Sequence, residues 1–453
     1  MSVLALKSCG WLVAHLPVPL VRALAWSVGL LVYTFAPWRM RIAHSNLHHA
    51  FPDRPRAWRR GVARRSCQRL VEMTLFALAS PFFNRQRIRD SFTIPQEFRD
   101  AVAREHDQGH GNVFLIPHLT LAEVCAMSPV IDPLFHGTTA VFRPLNQGKV
   151  NAWVKRSRER WGCRMLSRKE DLGQVHSTLA KGGKVSLLFD QNAGGAGLLF
   201  PFFDRLASAT HLPGLLVKRH DAAPFLTFTK RTGFWQVRVE WKLLDRNLSA
   251  EELTFASHDA LAEYLSESMD QCADWLWLHN RWKNAHTHFK RRFHLNSRKL
   301  RLAEYLAHHQ HSEPNQGVRY WFRLPRDGSE LAALKPHLQS IAQARPDAEL
   351  SLLGSHEDLR PTETWSFVHK RLRIPNTPIA TCRFILQGRK AFPDLYVCLS
   401  DHPNDAKLGW LLCIPQRFGW QTGHWTDRCH THTSGRVPKD KAPWCSFFAR
   451  FGQ

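Results

Sequence analysis

Between Asn112 and Leu243 the chain alternates short apolar runs with helix-like stretches, and this rhythm restricts its possible folds more than any other feature. The apolar runs are Asn112–Pro117, Gly137–Phe142, Lys184–Phe189, Pro224–Lys230 and Trp235–Leu243, with helical patterning around 148–162, 171–181, 208–219 and 258–275. Strands alternating with helices predict an α/β sheet with helices on its faces. Sheets of that kind bind ligands at the carboxyl ends of their strands. Three polar side chains fall at such ends: His118, Arg143 and Asp190.

His118 is the most informative of the three. It closes the run Val113-Phe-Leu-Ile-Pro117, and Glu123 follows five residues later. A carboxylate beside an imidazole fixes its tautomer and raises its basicity, the equipment for taking a proton from a hydroxyl that attacks an acyl carbonyl. Spacing alone is weak support, because His48/Asp53, His258/Glu263 and His308/Glu313 share it and chance supplies roughly two such pairs. Thr120-x-x-Glu123 also reads as a capping box, which would make Glu123 a helix start. Arg143, just past a strand, is placed to grip phosphate or polarise an oxyanion, or is an ordinary surface arginine. Asp190-Gln191-Asn192 leads a glycine-rich loop without the Gly-Lys-Ser/Thr ending of a nucleotide-binding P-loop. Trp275 to Lys283 mixes indoles with cations and reads as core packing or as an edge facing headgroups.

The whole chain has 453 residues and a net charge of +24, which calls for a polyanionic environment: nucleic acid, an anionic membrane or a phosphorylated substrate. No helix-turn-helix, RNA-recognition or zinc-finger pattern is present, so nucleic acid ranks last. Ten scattered cysteines without a CxxC pair predict a reducing compartment. Cys429-His430-Thr-His432 lacks a second ligand pair, and no metal is expected there. Leu20 to Ala36 is the strongest apolar run; as a helix it spans about 26 Å, the short end of what crosses a bilayer. A transmembrane or re-entrant anchor is favoured over an interfacial or core helix, and a cleaved signal peptide is disfavoured because no A-x-A site follows. Residues 56–90 predict a basic amphipathic helix suited to anionic headgroups. Lys290 to Arg301 reads as linker. Beyond it, Gly317–Leu324, Glu349–Leu353 and Asp394–Leu399 read as strands, 328–345 as a helix and the last 30 residues as irregular.

Taken in order, these segments resemble the lipid A biosynthesis (late) acyltransferases of the lysophospholipid acyltransferase superfamily. The resemblance runs from about residue 10 to 290. It rests on the apolar N-terminus, His118-x4-Glu123, Phe142-Arg143-Pro144, Ser167-Arg-Lys169, Asp190-Gln191, Pro201-Phe-Phe203 and Trp277-Leu-His279-x-Arg281-Trp282. It implies a lysophospholipid-acyltransferase-like sheet flanked by helices, with an N-terminal membrane helix. It also implies transfer of a fatty acyl group from acyl carrier protein to a hydroxyl of a lipid A precursor or related glycolipid. His118 and Glu123 would be catalytic; Arg143, Asp190, Gln191 and Arg281 would hold substrate, with no cofactor and no metal. The implied setting is the cell inner membrane, with the catalytic domain on its cytoplasmic face. A lysophospholipid acceptor and a catalytically silent, membrane-tethered scaffold are the competing readings. The loop Asn192-Ala-Gly-Gly-Ala-Gly197 and Asp204 depart from the family pattern and leave the acceptor open. Residues 315 to 420 resemble the N-terminal half of heptosyltransferase-like glycosyltransferases, through Asp327-Gly-Ser329, Arg345-Pro-Asp-Ala-Glu-Leu350 and Phe392-Pro-Asp-Leu395. Half of such an enzyme implies a binding or docking module. The expected domains are a membrane anchor (1–40), an acyltransferase domain (41–295), a linker (296–314) and a smaller Rossmann-like α/β unit (315–453).

Overall fold

The computed structural model describes residues 3–167, 172–194, 197–283, 307, 317–327, 330–345, 347–436 and 443–451. Arg168 and Lys169, Gly195 and Ala196, and the expected linker apart from Ala307 lie outside the described residues. The chain divides into two compact units, Met1–Leu198 with Ser208–Arg281 and Leu199–Ala207 with Trp282–Gln453.

The first unit opens with four helices: α1 (Val3–His15), α2 (Val18–Phe35), α3 (Pro37–Ala50) and α4 (Arg56–Ala79). Pro17 and Pro37 mark the breaks on either side of α2, because a proline is tolerated at a helix start and not within it. Its strands are β1 (Phe92–Thr93), β2 (Asn112–Ile116), β3 (Thr139–Phe142), β4 (Arg164–Ser167) and β5 (Lys184–Leu188). The hairpin β6 (Leu198–Phe202) and β7 (Arg205–Ala209) forms a separate two-stranded ribbon, most of which, Leu199–Ala207, belongs to the second unit. The strands β8 (Ala223–Gly233) and β9 (Gln236–Leu243) complete the set. Among the described residues the main sheet has seven strands in the order β1-β9-β8-β2-β5-β3-β4. All neighbours run parallel except the β8/β9 hairpin, so the sheet is mixed. β2 is central, and Asn-Val-Phe-Leu-Ile is buried at every position, as a strand covered on both faces requires. Phe98, Phe114 and Phe225 meet with ring centroids 5.7–6.0 Å apart and anchor one face. β4 was not expected, and its Arg-Met-Leu-Ser is too short and mixed to read as a strand.

α4 is pinned to the sheet by a buried carboxylate. Glu72 accepts from Arg231 Nε at 3.1 and 3.2 Å and from Trp235 N at 3.0 Å. These charge-assisted bonds fix one wall of the site described below.

In the second unit, β10 (Arg319–Arg323), β11 (Glu349–Gly354), β12 (Lys370–Arg373), β13 (Leu395–Cys398), β14 (Gln416–Gln421) and β15 (His432–Arg436) form a parallel sheet. Its order is β12-β11-β10-β13-β14-β15, reversing direction between β10 and β13. The expected helix over 328–345 is Leu331–Ala344. The expectation of an irregular last 30 residues is corrected: β15 joins the sheet and the helix Pro443–Phe451 caps it. Phe447 packs 4.7 Å from Trp420, so aromatic burial orders a stretch that lacks strand periodicity.

Candidate active site

Parallel pairing of β2 with β5 builds the centre of the site. Ile116 lies opposite Leu188, so carrying both strands on by two residues brings His118 beside Asp190. His118 Nδ1 is 2.6 Å from Asp190 Oδ1, and the His118 amide donates to Asp190 Oδ2 at 3.0 Å. The Trp275 indole Nε1 donates to the same Oδ2 at 2.6 Å. Asp190 is buried, which would raise its pKa. The charge of His118 and three hydrogen bonds outweigh that and hold the carboxyl well below its usual range. A carboxylate only accepts, so the imidazole carries its proton on Nδ1 and presents Nε2 as a base.

This arrangement corrects the expected pairing of His118 with Glu123. The partner of His118 is Asp190, 72 residues away in sequence. Glu123 sits on the 3-10 turn Ala122–Met127 and accepts from Arg158 Nε at 2.9 Å; Arg158 belongs to the helix α5 (Gly148–Glu159). The capping-box reading is corrected too. Leu121, at a φ of 62°, occupies the cap position, while Thr120 Oγ1 donates to the Asp274 carbonyl at 3.1 Å. Thr120 N makes a second bond to that carbonyl, at 2.8 Å, and Leu119 bridges to Trp275. Ser66 Oγ of α4 in turn holds the Trp275 carbonyl at 3.0 Å. The histidine loop is thereby zipped to the segment that carries the indole.

His118, Glu123 and Arg158 line one cavity of about 440 Å³, within the usual range for small-molecule sites (roughly 300–1,000 Å³). Leu70, Met73 and Ala77 of α4 form part of its wall, with Ile116 of β2, Leu187 of β5 and Ala126 among its other lining residues. Asp274 also faces it, paired with Arg69 Nε at 3.0 Å. Burial pushes the Asp274 carboxyl up to about 7, against the pull of Arg69 and Arg231. An imidazole on the wall of a mostly apolar hollow suits a substrate with a polar head and an apolar tail.

The remaining expected site residues divide. Phe142 lines the cavity, while Arg143 is exposed just beyond β3 and Gln191 is exposed beside Asp190. Asp190 was expected to hold substrate; its oxygens are instead engaged by His118 and Trp275. Arg281 is fully buried, donating to the Ser208 carbonyl at 2.6 Å and lying 3.4 Å from His258 Nε2, where a substrate does not reach it. That correction follows from packing: burial lowers the Arg281 pKa to about 10 and, with Arg281 nearby, drives His258 down to about 3. Arg281 secures the loop after β5, because its carbonyl accepts from Asn192 Nδ2 at 2.9 Å. Two residues escaped sequence reasoning. Trp275 was visible as an indole in an aromatic–cation segment, though nothing there points to Asp190. Arg158 is one of several cations on a basic helix and carried no local signal.

A family model described as bacterial lipid A biosynthesis acyltransferase matches residues 4–284, more than half of the chain. No curated protein matches the chain.

Proposed function

Since the chain belongs to the bacterial lipid A biosynthesis acyltransferase family and is an acyltransferase, we propose that it moves a fatty acyl group from acyl carrier protein to a hydroxyl of a lipid A precursor or related glycolipid. The observation that carries the mechanism is the His118–Asp190 contact of 2.6 Å at the cavity wall. His118 Nε2 takes the proton of the acceptor hydroxyl as its oxygen attacks the thioester carbonyl carbon. Asp190 stabilises the imidazolium that forms. Collapse of the tetrahedral intermediate breaks the C–S bond, and the imidazolium returns its proton to the departing thiolate. Glu123 orients Arg158, whose guanidinium offers donors to the developing oxyanion or to acceptor phosphate. Arg143 and Gln191 contribute at the rim.

The first unit is read as a lysophospholipid-acyltransferase-like sheet, with its acyltransferase domain over 41–295 and membrane attachment through 1–40. The second, over 315–453, is read as Rossmann-like, since its strands run 3-2-1-4-5-6 when numbered along the chain, as in doubly wound nucleotide-binding sheets. Work at an inner membrane, on the cytoplasmic side, suits the +24 charge, which meets both anionic headgroups and an acidic carrier protein.

Transfer of labelled acyl groups from acyl carrier protein to a tetra-acylated lipid A precursor in detergent tests this reading, wild type beside His118→Ala. Turnover that vanishes in the variant supports the base. Turnover that survives overturns it. Product with a lysophospholipid but none with the lipid A precursor reassigns the acceptor, and no product with either favours a silent scaffold.

A further inference from the structure

The longest apolar helix of this chain is clamped along its length to a helix of the catalytic unit. α2 buries Val21, Ala25 and Gly29, one residue per turn, and a side chain at Gly29 would collide with the Gln68 backbone of α4. α1 makes the same kind of approach, with Gly10 against the Leu78 carbonyl. α4 is no membrane helix. Its sequence carries Arg56, Arg60, Arg64 and Arg65, its Glu72 is bonded to the sheet, and its Leu70, Met73 and Ala77 wall the cavity. Were α2 to cross a bilayer, α4 beside it would follow and carry those arginines into hydrocarbon.

We propose that α1–α3 form a raft lying in the plane of an anionic bilayer, dipping one apolar face below the headgroups instead of spanning the membrane. The face turned away from α4 is apolar and aromatic: Trp11, Leu20, Trp26, Leu30, Phe35 and Trp38 are all exposed. Indoles favour the boundary between headgroups and acyl chains. Charge completes the match. Arg56, Arg60 and Arg64 are exposed at successive turns of α4, a stripe that leads to Gln68, where α2 crosses; Lys7, Arg22 and Arg39 are exposed on the raft itself. An apolar face bordered by cations is the pattern of an interfacial anchor on anionic lipid. Docked this way, the raft sets the cavity one helix, α4, away from the membrane surface, within reach of an acceptor that stays in the bilayer.

The full chain, without acyl donor, is floated with vesicles of phosphatidylethanolamine and phosphatidylglycerol, and with phosphatidylcholine vesicles for comparison. Binding at least tenfold tighter to the anionic vesicles is expected. Arg60→Glu with Arg64→Glu should remove most of that preference, and Trp26→Ser with Leu30→Ser should weaken binding to both. Arg22→Cys and Arg39→Cys, near the two ends of α2 and outside the apolar face, are then treated with an impermeant maleimide outside sealed vesicles and read by peptide mass spectrometry. Equal reaction at both ends supports the raft. Protection of one end until detergent is added overturns it in favour of a span, and equal binding to both lipids overturns the electrostatic half. The His118→Ala chain should float like the parent, so failure of the chemistry and failure of the raft are told apart.

Discussion

Two parallel-strand crests in this molecule carry polar residues, and they use them in opposite ways. At the ends of β2 and β5, His118 meets Asp190 and keeps its second ring nitrogen for a cavity. At the ends of β10 and β13 in the second unit, Arg323, Arg326 and Ser400 converge on one carboxylate. Asp405 lies 3.2 Å from Arg323 Nε and 3.1 Å from Arg326 Nε, and accepts from Ser400 Oγ at 2.7 Å. Arg323 also lies 3.6 Å from Asp358. Convergence at strand ends therefore marks where chemistry is possible; in the proposed mechanism it is the crest with an unengaged ring nitrogen that carries it.

Substitution at the two crests should separate these roles most sharply. His118→Ala is expected to lower kcat by on the order of 10³-fold or more, the scale of losing a positioned base. Asp405→Asn should leave acyl transfer within about twofold while destabilising the second unit by about 3 kcal/mol, the cost of leaving the buried Arg323 without its nearer carboxylate. Chemical denaturation and transfer assays on both variants check the contrast. Loss of transfer in Asp405→Asn with the fold intact would break it.

Asp190→Asn comes next. An asparagine at this position releases the tautomer and cannot stabilise the imidazolium, so kcat should fall on the order of 10²-fold with KM little changed. Arg158→Met is expected to cost less, about tenfold, because Glu123 remains while donors for oxyanion or phosphate are lost. Steady-state kinetics with acyl carrier protein distinguishes the two. A rise in KM for the acceptor alone would assign Arg158 to phosphate.

The same comparison explains what could be read from the sequence. β2, β5, β8 and β9 announce themselves because buried strands need continuous or alternating apolar residues, and His118 was visible at the end of one of them. The Asp190 partnership was not visible. It depends on β2 lying next to β5, a pairing across 72 residues that no local spacing encodes. Glu123 drew attention by its nearness in sequence, yet a 3-10 turn directs it to Arg158 on another helix. β12, with Lys-Arg-Leu-Arg at a sheet edge, has no apolar face to betray it. The alternation itself, which depends only on local periodicity, was legible in both units.

The smallest expected effect concerns the carboxylate just before Trp275. Asp274 and Asp190 flank the same indole but titrate in opposite directions, Asp274 being raised to about 7 by burial and Asp190 lowered by His118 and its hydrogen bonds. A raised carboxyl binds its proton more tightly in the folded chain. Its contribution is fully present below the unfolded pKa near 4, and is lost as pH climbs through about 7. Arg69 and Arg231 pull the Asp274 carboxyl down and Glu72 pushes it up, whereas His258, lowered to about 3, and His279, lowered to about 4, give stability the opposite slope. The difference between parent and Asp274→Asn isolates the carboxyl. Relative to the parent, the asparagine variant should gain about 1–3 kcal/mol between pH ~5 and pH ~8, read by urea denaturation at several pH values. A constant difference across that range would mean that Asp274 stays ionised beside Arg69, and that the pair supports the cavity wall as a permanent ion pair.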